Sequence, residues 1–165
     1  MWMSGLKTMI AFQVSSVTDM QKITVSKADI SDLAQIAAIE KDCFSIPFDE
    51  DDLIFYFNNP LWRFFVAKEE GSVLGYTLLR VIEGEGEIVS IATRKDLRGL
   101  GIGTMVIEAV KNTESDLELL HLEVRASNNP AIHLYEKMGF IPVGVSKNHY
   151  TLPTEDALRM TLKLK

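Results

Sequence analysis

Cysteine is almost absent from this chain, because Cys43 is the single cysteine in 165 residues. One thiol excludes an internal disulfide framework and any cysteine-rich zinc site, and it fits a reducing compartment such as the cytoplasm. We interpret Cys43 as a small buried apolar group. Only three histidines are present and they stand far apart in the sequence, so we expect no protein-only metal site and no metal requirement.

Basic residues are also in deficit, with 17 Lys and Arg against 23 Asp and Glu and a net charge of −6. This balance argues against a protein that holds nucleic acid or an anionic membrane through a generally basic surface. No apolar run approaches the roughly 20 residues that span a bilayer. We therefore expect a cytoplasmic protein, without nucleic-acid or membrane partners, in which any anionic ligand is bound locally.

Residues 1–20 show neither a helical nor a strand period. They contain one lysine and a broken apolar stretch, which does not fit a secretory signal. A flexible leader, a mis-assigned start and an extra strand that docks on a partner are the alternatives, and we favour the first two. We assign residues 1–20 to an N-terminal extension of unknown role and residues 21–165 to one domain.

Hydrophobic periodicity predicts the element order βααβββαβαββ from Gln21 onward, which is typical of a mixed α/β sheet. The predicted strands are 23–25, 63–68, 73–82, 87–93, 119–125, 141–150 and 156–164. Asp49 is the expected cap of a helix over 50–57, and Asn129 followed by Pro130 is expected to start the last helix. The acidic stretch before the fourth strand, with Glu83 and Glu85, is interpreted as a solvated turn that would also attract a cationic amine.

A glycine-rich segment, Arg98-Gly99-Leu100-Gly101-Ile102-Gly103, stands between a predicted strand and a predicted helix. Glycine lets backbone N–H groups approach a phosphate closely, and a helix N-terminus adds partial positive charge. The dinucleotide pattern G-x-G-x-x-G fails because position 104 is Thr, and a Walker loop fails because no Lys follows Gly103. A phosphate cradle of another type and a merely tight turn both remain open.

The segment Arg98-x-x-Gly101-x-Gly103 directly after a strand resembles the acetyl-CoA pyrophosphate loop of the GNAT acetyltransferases. Two further blocks, Leu122-Glu123-Val124-Arg125-Ala126-Ser127-Asn128 and Leu134-Tyr135-Glu136-Lys137-x-Gly139-Phe140, are similar to the RimI-type and archaeal protein N-terminal acetyltransferases. The match covers residues 23–164. It implies the GNAT fold for the whole domain, with a mixed seven-stranded sheet flanked by about four helices.

The resemblance also implies an activity: transfer of acetyl from acetyl-CoA to the N-terminal α-amino group of proteins or nascent peptides, ribosomal proteins among them. Transfer would occur by direct attack in a ternary complex. A monomer or weak homo-oligomer is expected. Two alternatives stay open, namely acetylation of a lysine side chain, a polyamine or another small amine, and a non-catalytic acyl-CoA-binding module.

Three residues are the candidate proton carriers of this chemistry. The resemblance makes Glu123 the general base. Independently, a carboxylate in mid-strand is unusual unless it is paired or functional. The structural alternative is an ion pair of Glu123 with Arg125 or His121. Glu87 is expected to share that role or take it over. The resemblance makes Tyr135 the acid that protonates the thiolate, and a core tyrosine is the alternative.

The cofactor-binding residues are carried over from the same resemblance. Backbone groups of Ile91, Ala92 and Thr93 would bind the pantetheine arm as an added strand. The side chain of Asn128 would hydrogen-bond the pantetheine or the emerging thiol, or would instead cap the following helix. The pyrophosphate would be held by the segment Arg98, Gly99, Leu100, Gly101, Ile102, Gly103 and Thr104.

The acceptor peptide is expected to contact Phe44, Ile46, Phe48 and Tyr150, although on composition alone Phe44 and Phe48 fit core positions better. Two departures from the family pattern concern the acceptor side. His149 stands where close relatives usually carry a second tyrosine, and Phe48 stands where RimI-type enzymes carry tryptophan. A third departure is Gly99, whose place is often basic in near relatives.

Overall fold

The computed structural model describes residues 22–165, so the expected extension over residues 1–20 lies outside the described residues. Within this part of the chain, seven strands and four α-helices follow one another in the expected order. The strands are β1 Thr24–Lys27, β2 Trp62–Glu69, β3 Ser72–Ile82, β4 Glu85–Thr93, β5 Leu119–Arg125, β6 Ile141–Thr151 and β7 Thr154–Lys163. The helices are α1 Leu33–Cys43, α2 Glu50–Phe57, α3 Ile102–Thr113 and α4 Asn129–Lys137.

The strands form one mixed sheet in the order β1-β2-β3-β4-β5-β7-β6. The β4–β5 pair is parallel and every other neighbouring pair is antiparallel. A parallel pair needs a crossover connection, which here contains α3. The expected seven-stranded mixed sheet with four helices is confirmed.

Helices cover both faces of this sheet. On one face, Ile107 and Val110 of α3 and Tyr135 of α4 pack against β5 and β7. On the other face, Leu33 and Ile36 of α1 pack against β2 and β3. The alternating burial of β5 directs its apolar residues toward α3 and α4, and it directs His121, Glu123 and Arg125 toward the opposite face.

Two tight hairpin turns shape the strands that carry the site. Glu70-Gly71 and Glu83-Gly84 all have positive φ, between 48° and 84°. Such two-residue turns match the right-handed twist of the flanking strands. The turn expected over 83–86 is therefore only two residues long, and β4 begins at Glu85 instead of Glu87.

The ends of the helices follow local side-chain chemistry, with one correction. Asp49 caps α2 as expected, because its carboxylate accepts the backbone N–H of Asp52 at 2.9 Å. The cap of α4 is Asn128 and not Asn129, since the Asn128 side chain accepts the N–H of Ala131 at 3.3 Å. Two adjacent asparagines offer the same chemistry, and only the backbone path decides which one is the cap.

A β-bulge in β4 sets the direction of its side chains. The register with β3 shifts so that Leu78 pairs with Ser90 and Leu79 with Ile88, which leaves Val89 as the extra residue. Ile88 and Ile91 consequently pack into the same core cluster although they are three positions apart. As a result, Glu87 and Ser90 both project to the face that carries Glu123.

Candidate active site

The cleft of this protein opens where β4 and β5 separate. The two strands pair only from Glu85 with Leu119 to Ile88 with Leu122, although β4 continues to Thr93 and β5 to Arg125. The space between them is a cavity of about 370 Å³ that α1, the α1–α2 loop, α4 and β6 also line. Eight of the expected site residues line it: Phe44, Ile46, Phe48, Ile91, Glu123, Asn128, Tyr135 and Tyr150.

The backbone of β4 presents hydrogen-bonding groups to this cleft. The N–H of Arg94 donates to the carbonyl of Leu74 at 2.9 Å, so Arg94 and every second residue before it, including Ala92, bond to β3. Ile91 and Thr93 therefore direct their N–H and carbonyl groups to the opposite side, toward the opening. Backbone groups on this side of β4 can bind an extended ligand as an additional strand.

The glycine-rich loop forms a cradle at the N-terminus of α3. Gly99 and Gly101 have φ of +82° and +83°, a left-handed conformation that side-chain-bearing residues rarely adopt. A Cβ atom at either position would meet nothing within 4 Å, so glycine is required by the backbone and not by space. The loop leads directly into the first turn of α3 at Ile102, where unpaired N–H groups and the helix dipole favour an anion.

The rest of the predicted pyrophosphate segment surrounds this cradle. Leu100 is exposed, whereas the Ile102 side chain is buried in the core and anchors the helix start. Gly103 allows α3 to approach Leu134 of α4 closely. Thr104 follows in the first turn of α3, and Arg98 lies just before the cradle. The loop therefore fits a pyrophosphate group held mainly by backbone donors.

Cys43 does not occupy the closed core position that its type suggests. It is half-buried at the end of α1 and lines the cleft. Its Sγ lies 3.8 Å from the carbonyl of Thr93 and 3.4 Å from Nη2 of Arg98. The thiol therefore connects α1 to the end of β4 and to the glycine-rich segment.

Glu123 lies at the point where the strands part, and its carboxylate is held from β6. Ser146 donates its hydroxyl to Oε1 at 2.9 Å, and Nε2 of His149 lies 2.9 Å from Oε2. The side chain remains 30% exposed, which leaves the carboxylate accessible from the cleft. The structural alternative, an ion pair of Glu123 with Arg125 or His121, does not form: the imidazole that pairs with this carboxylate is His149, while Arg125 pairs with Glu155 and His121 with Glu85.

Each of those two residues is engaged elsewhere. The guanidinium of Arg125 lies 4.3 Å from the ring centroid of Tyr150, and it donates to the carbonyl of Pro153 at 2.9 Å. Nδ1 of His121 lies 2.9 Å from the hydroxyl of Thr161 on β7. Side chains two apart on one strand are roughly 7 Å apart, so partners on neighbouring strands are closer than partners on β5 itself.

Two tyrosines line the cleft together with Glu123. Tyr135 of α4 is buried, and its ring packs edge-on against Phe140 with centroids 5.8 Å apart. Burial raises the pKa of Tyr135 far above the usual tyrosine range, and the nearby Tyr150 raises it further. The hydroxyl of Tyr150 donates to the backbone carbonyl of Glu123 at 3.2 Å, and burial followed by the Glu123 carboxylate raises the pKa of Tyr150.

Glu87 belongs to a second concavity, which we call the groove. It measures about 550 Å³, lies on the sheet face that carries His121 and Glu123, and shares Glu123 with the cleft as a lining residue. Glu87 is paired with Arg80 at 2.6 Å, and both side chains are almost half exposed. Glu83 and Glu85 line the same groove, so the acidic stretch is the wall of a cavity and not only a solvated turn.

The α1–α2 loop forms the apolar wall of the cleft. Phe44 is 38% exposed and Ile46 is 66% exposed, so neither is a core residue. Phe48 is partly buried and packs edge-on against Tyr56, with centroids 5.4 Å apart. Its position therefore serves both the core and the cleft.

A buried carboxylate for which the sequence predicts no role lies at the floor of the cleft. Glu40 of α1 is only 1% exposed, and no cation pairs with it among residues 22–165. Its carboxylate accepts hydrogen bonds from the hydroxyls of Tyr76 and Ser90 and, at 3.1 Å, from the backbone N–H of Phe48. Burial raises the pKa of Tyr76 well above its usual value, and the Glu40 charge raises it further. The carboxylate thereby ties α1, β3, β4 and the α1–α2 loop together.

We expect Glu40→Ala to lower the free energy of unfolding by about 1–3 kcal/mol, because the N–H of Phe48 loses its acceptor and a cavity opens. Glu40→Gln is expected to retain most of the stability, since an amide can accept from Phe48 and donate to a hydroxyl. Denaturant titration checks both, with Glu108→Ala on the surface of α3 as the control. An Ala variant that unfolds at the wild-type midpoint contradicts the role.

Comparison with known proteins agrees with this geometry. The model of the Acetyltransferase (GNAT) family matches residues 33–140, which is more than half of the chain. The chain therefore belongs to the GNAT family of acetyltransferases.

Relatives within the family narrow the resemblance to one branch. The chain is 35% identical over 144 residues to a putative ribosomal protein bS18-alanine N-acetyltransferase of Bacillus subtilis, covering 84% of this chain and 94% of that protein. It is 40% identical over 116 residues to an N-alpha-acetyltransferase of Sulfurisphaera tokodaii, which covers 61% of this chain and 69% of that protein. The crystal structure of the ribosomal-protein-S18-alanine N-acetyltransferase from Escherichia coli superposes with a TM-score of 0.79 at 28% identity. The superposition covers 87% of this chain and 94% of that chain. The expected RimI-like branch is confirmed.

Acetyl-CoA is the acyl donor that the family and the cradle both indicate, and solved structures of this fold contain acetyl-CoA or coenzyme A. Within residues 22–165, no group of three or more His, Cys, Asp and Glu side chains is arranged to hold a metal ion. None of the helices in the same part of the chain is long and apolar enough to cross a membrane.

Proposed function

We propose that this enzyme transfers the acetyl group of acetyl-CoA to the N-terminal α-amino group of proteins or peptides. The observation that carries the proposal is the position of Glu123, whose carboxylate lies where β4 and β5 part and faces a cleft with an apolar wall. The names of the relatives, which include acetyltransferases of a ribosomal-protein alanine and of protein N-termini, support this acceptor. Ribosomal or nascent chains are accordingly proposed as substrates.

Acetyl-CoA would be held along one side of the cleft. The pyrophosphate would bind the backbone donors of the cradle between Arg98 and Thr104, and the pantetheine arm would bind Ile91 and Thr93, with Ala92 between them. When bound, acetyl-CoA supplies an electrophilic thioester carbonyl. The N–H of Ile91 would stabilise the negative charge that develops on the carbonyl oxygen.

Two side chains would carry the protons. Glu123 would accept a proton from the substrate ammonium, directly or through water, and Glu87 at the far side of the groove would share this role. Tyr135 would donate its phenolic proton to the departing thiolate. Burial raises the pKa of Tyr135, so the phenol carries the proton that this step requires. Asn128 uses its side-chain oxygen to cap α4, and its remaining amide N–H groups would bind pantetheine or the thiol.

The acceptor peptide would enter between the α1–α2 loop and the β6–β7 hairpin. Phe44, Ile46 and Phe48 would contact the first side chains, and Tyr150 would contact the peptide backbone. An α-amino group has a reference pKa near 7.7–8.0 and a lysine near 10.4, so a carboxylate base suits the α-amine better.

The test is the rate of coenzyme A release with a short peptide and with the same peptide acetylated at its N-terminus, both containing an internal lysine. We expect release only with the free N-terminus, and mass spectrometry should place the acetyl group there. Full activity on the blocked peptide would assign the enzyme to lysine or small-amine acetylation. A lack of release across peptides, polyamines and small amines would leave only an acyl-CoA-binding module.

A further inference from the structure

The imidazole of His149 contacts the proposed base, and the sequence alone indicates no part for it in proton transfer. Its Nε2 lies 2.9 Å from Oε2 of Glu123, and its side chain is 42% exposed. Pairing of β6 with β7 is interrupted between Ser146 and Tyr150, and Asn148 inside that interruption has φ of +50°. This irregular segment brings His149 of the outermost strand to Glu123, although β7 lies between β5 and β6.

We propose that His149 is a proton-relay residue that acts through Glu123 and passes the substrate proton to solvent. The inference rests on the proposed role of Glu123 as the base. The geometry supports it in two ways: a hydrogen-bonded imidazole on one carboxylate oxygen, and a substantially exposed ring through which that imidazole can exchange protons with water. Ser146 holds the other oxygen at 2.9 Å, which fixes the orientation of the carboxylate.

The proton balance of acetyl transfer shows why a relay is useful. The bond from nitrogen to the carbonyl carbon forms, the bond from that carbon to sulfur breaks, and the ammonium loses two protons. One of these protons ends on the thiol of coenzyme A. The other must leave the site, and the path from Glu123 to His149 and then to water provides that exit.

The proton affinities of the groups favour this path. Carboxyl groups titrate near 4.3, imidazoles near 6.5 and α-amines near 7.7–8.0 in unstructured peptides. A proton taken from an amine is therefore held more readily by a carboxylate–imidazole pair than by a carboxylate alone. Three sets of titratable or charged groups surround His149. Glu123 of β5 contacts its ring nitrogen, and the ring centroid of Tyr150 lies 4.8 Å from that of His149, with the Arg125 guanidinium over the Tyr150 ring. The third is the ion pair of Lys147 with Asp156.

Two variants separate relay from positioning. His149→Gln keeps an N–H donor for Glu123 but cannot accept a proton near neutral pH, whereas His149→Phe loses both properties. We expect kcat with an N-terminal peptide to fall at least about tenfold in both variants, at an unchanged KM for acetyl-CoA. The pH profile of kcat in His149→Gln should also differ from that of the wild type, because an amide cannot exchange protons with Glu123 and water near neutral pH.

Each other outcome overturns the relay. Full activity in His149→Gln with loss in His149→Phe would reduce His149 to a hydrogen-bond donor that positions Glu123. Wild-type activity and pH profile in both variants would leave it without any role. Failure of the proposed function would give a different result, because the wild-type enzyme itself would then show no activity on free N-terminal peptides. Circular dichroism of each variant confirms that the fold is retained.

Discussion

Replacing Glu123 by Gln is expected to lower kcat by about 10²–10⁴-fold, the range that a positioned general base contributes. The amide keeps the size of the side chain and can still accept from Ser146, but it cannot take a proton from the substrate ammonium. The KM for acetyl-CoA should stay close to the wild-type value, because the cradle and the backbone of β4 are unchanged. Steady-state release of coenzyme A with a saturating N-terminal peptide measures both constants.

Glu118→Gln is the matched control for this substitution. It changes an exposed glutamate one residue before β5 and should leave turnover unchanged. Wild-type turnover in the Glu123 variant would show that the base lies elsewhere. Glu87→Gln is then the next variant to assay, since Glu87 lines the groove that reaches Glu123.

Removing the hydroxyl of Tyr135 is the second change with a large expected effect. We expect Tyr135→Phe to lower kcat about a hundredfold, because the thiolate loses its proton donor, with little change in acetyl-CoA binding. The ring contact with Phe140 is kept, so the free energy of unfolding should change by no more than about 1 kcal/mol. Kinetics and denaturant titration on the same preparation separate the two effects.

The pH dependence of the wild type follows from the burial of Tyr135. Because burial raises its pKa, the phenol stays protonated in the folded state above pH 10, and kcat should show no loss from its ionisation at lower pH. The unfolded chain ionises first near the ordinary tyrosine value of about 10, so stability should fall as the pH rises past that point.

Tyr56→Phe, which removes a hydroxyl from a tyrosine stacked on Trp62, is the control for Tyr135→Phe and should keep full turnover. Equal activities of the Tyr135 and Tyr56 variants would contradict the assignment.

Local features of the sequence predicted most of the fold because they act over a few residues. Asp49 is followed three residues later by Asp52, and this pattern starts α2 where it was expected. Alternation of apolar and polar residues identified β5 and its two faces. The glycine-rich segment before α3 was recognised from its glycines, and the structure places Gly99 and Gly101 at positive φ, which few other residues adopt.

Partnerships across the sheet were not predictable in the same way. Glu123 was recognised as a candidate, but its contacts with Ser146 and His149 depend on where β6 lies and on the irregular segment that returns His149 toward β5. Glu40 shows the same limit, since its partners on β3 and β4 are 36 and 50 positions away in the chain. No periodicity links residues at such separations.

By itself the sequence determined the family, the order of the elements, the position of the glycine-rich segment and the identity of the candidate base. Each of these depends on residue type and short-range spacing, which restrict backbone conformation directly. The tertiary structure alone decided which groups surround that base, that the cleft and the groove both reach Glu123, and that Cys43 lines the cleft. These properties arise from the β4 bulge, the separation of β4 from β5 and the interruption of β6, which the packing of the whole sheet determines.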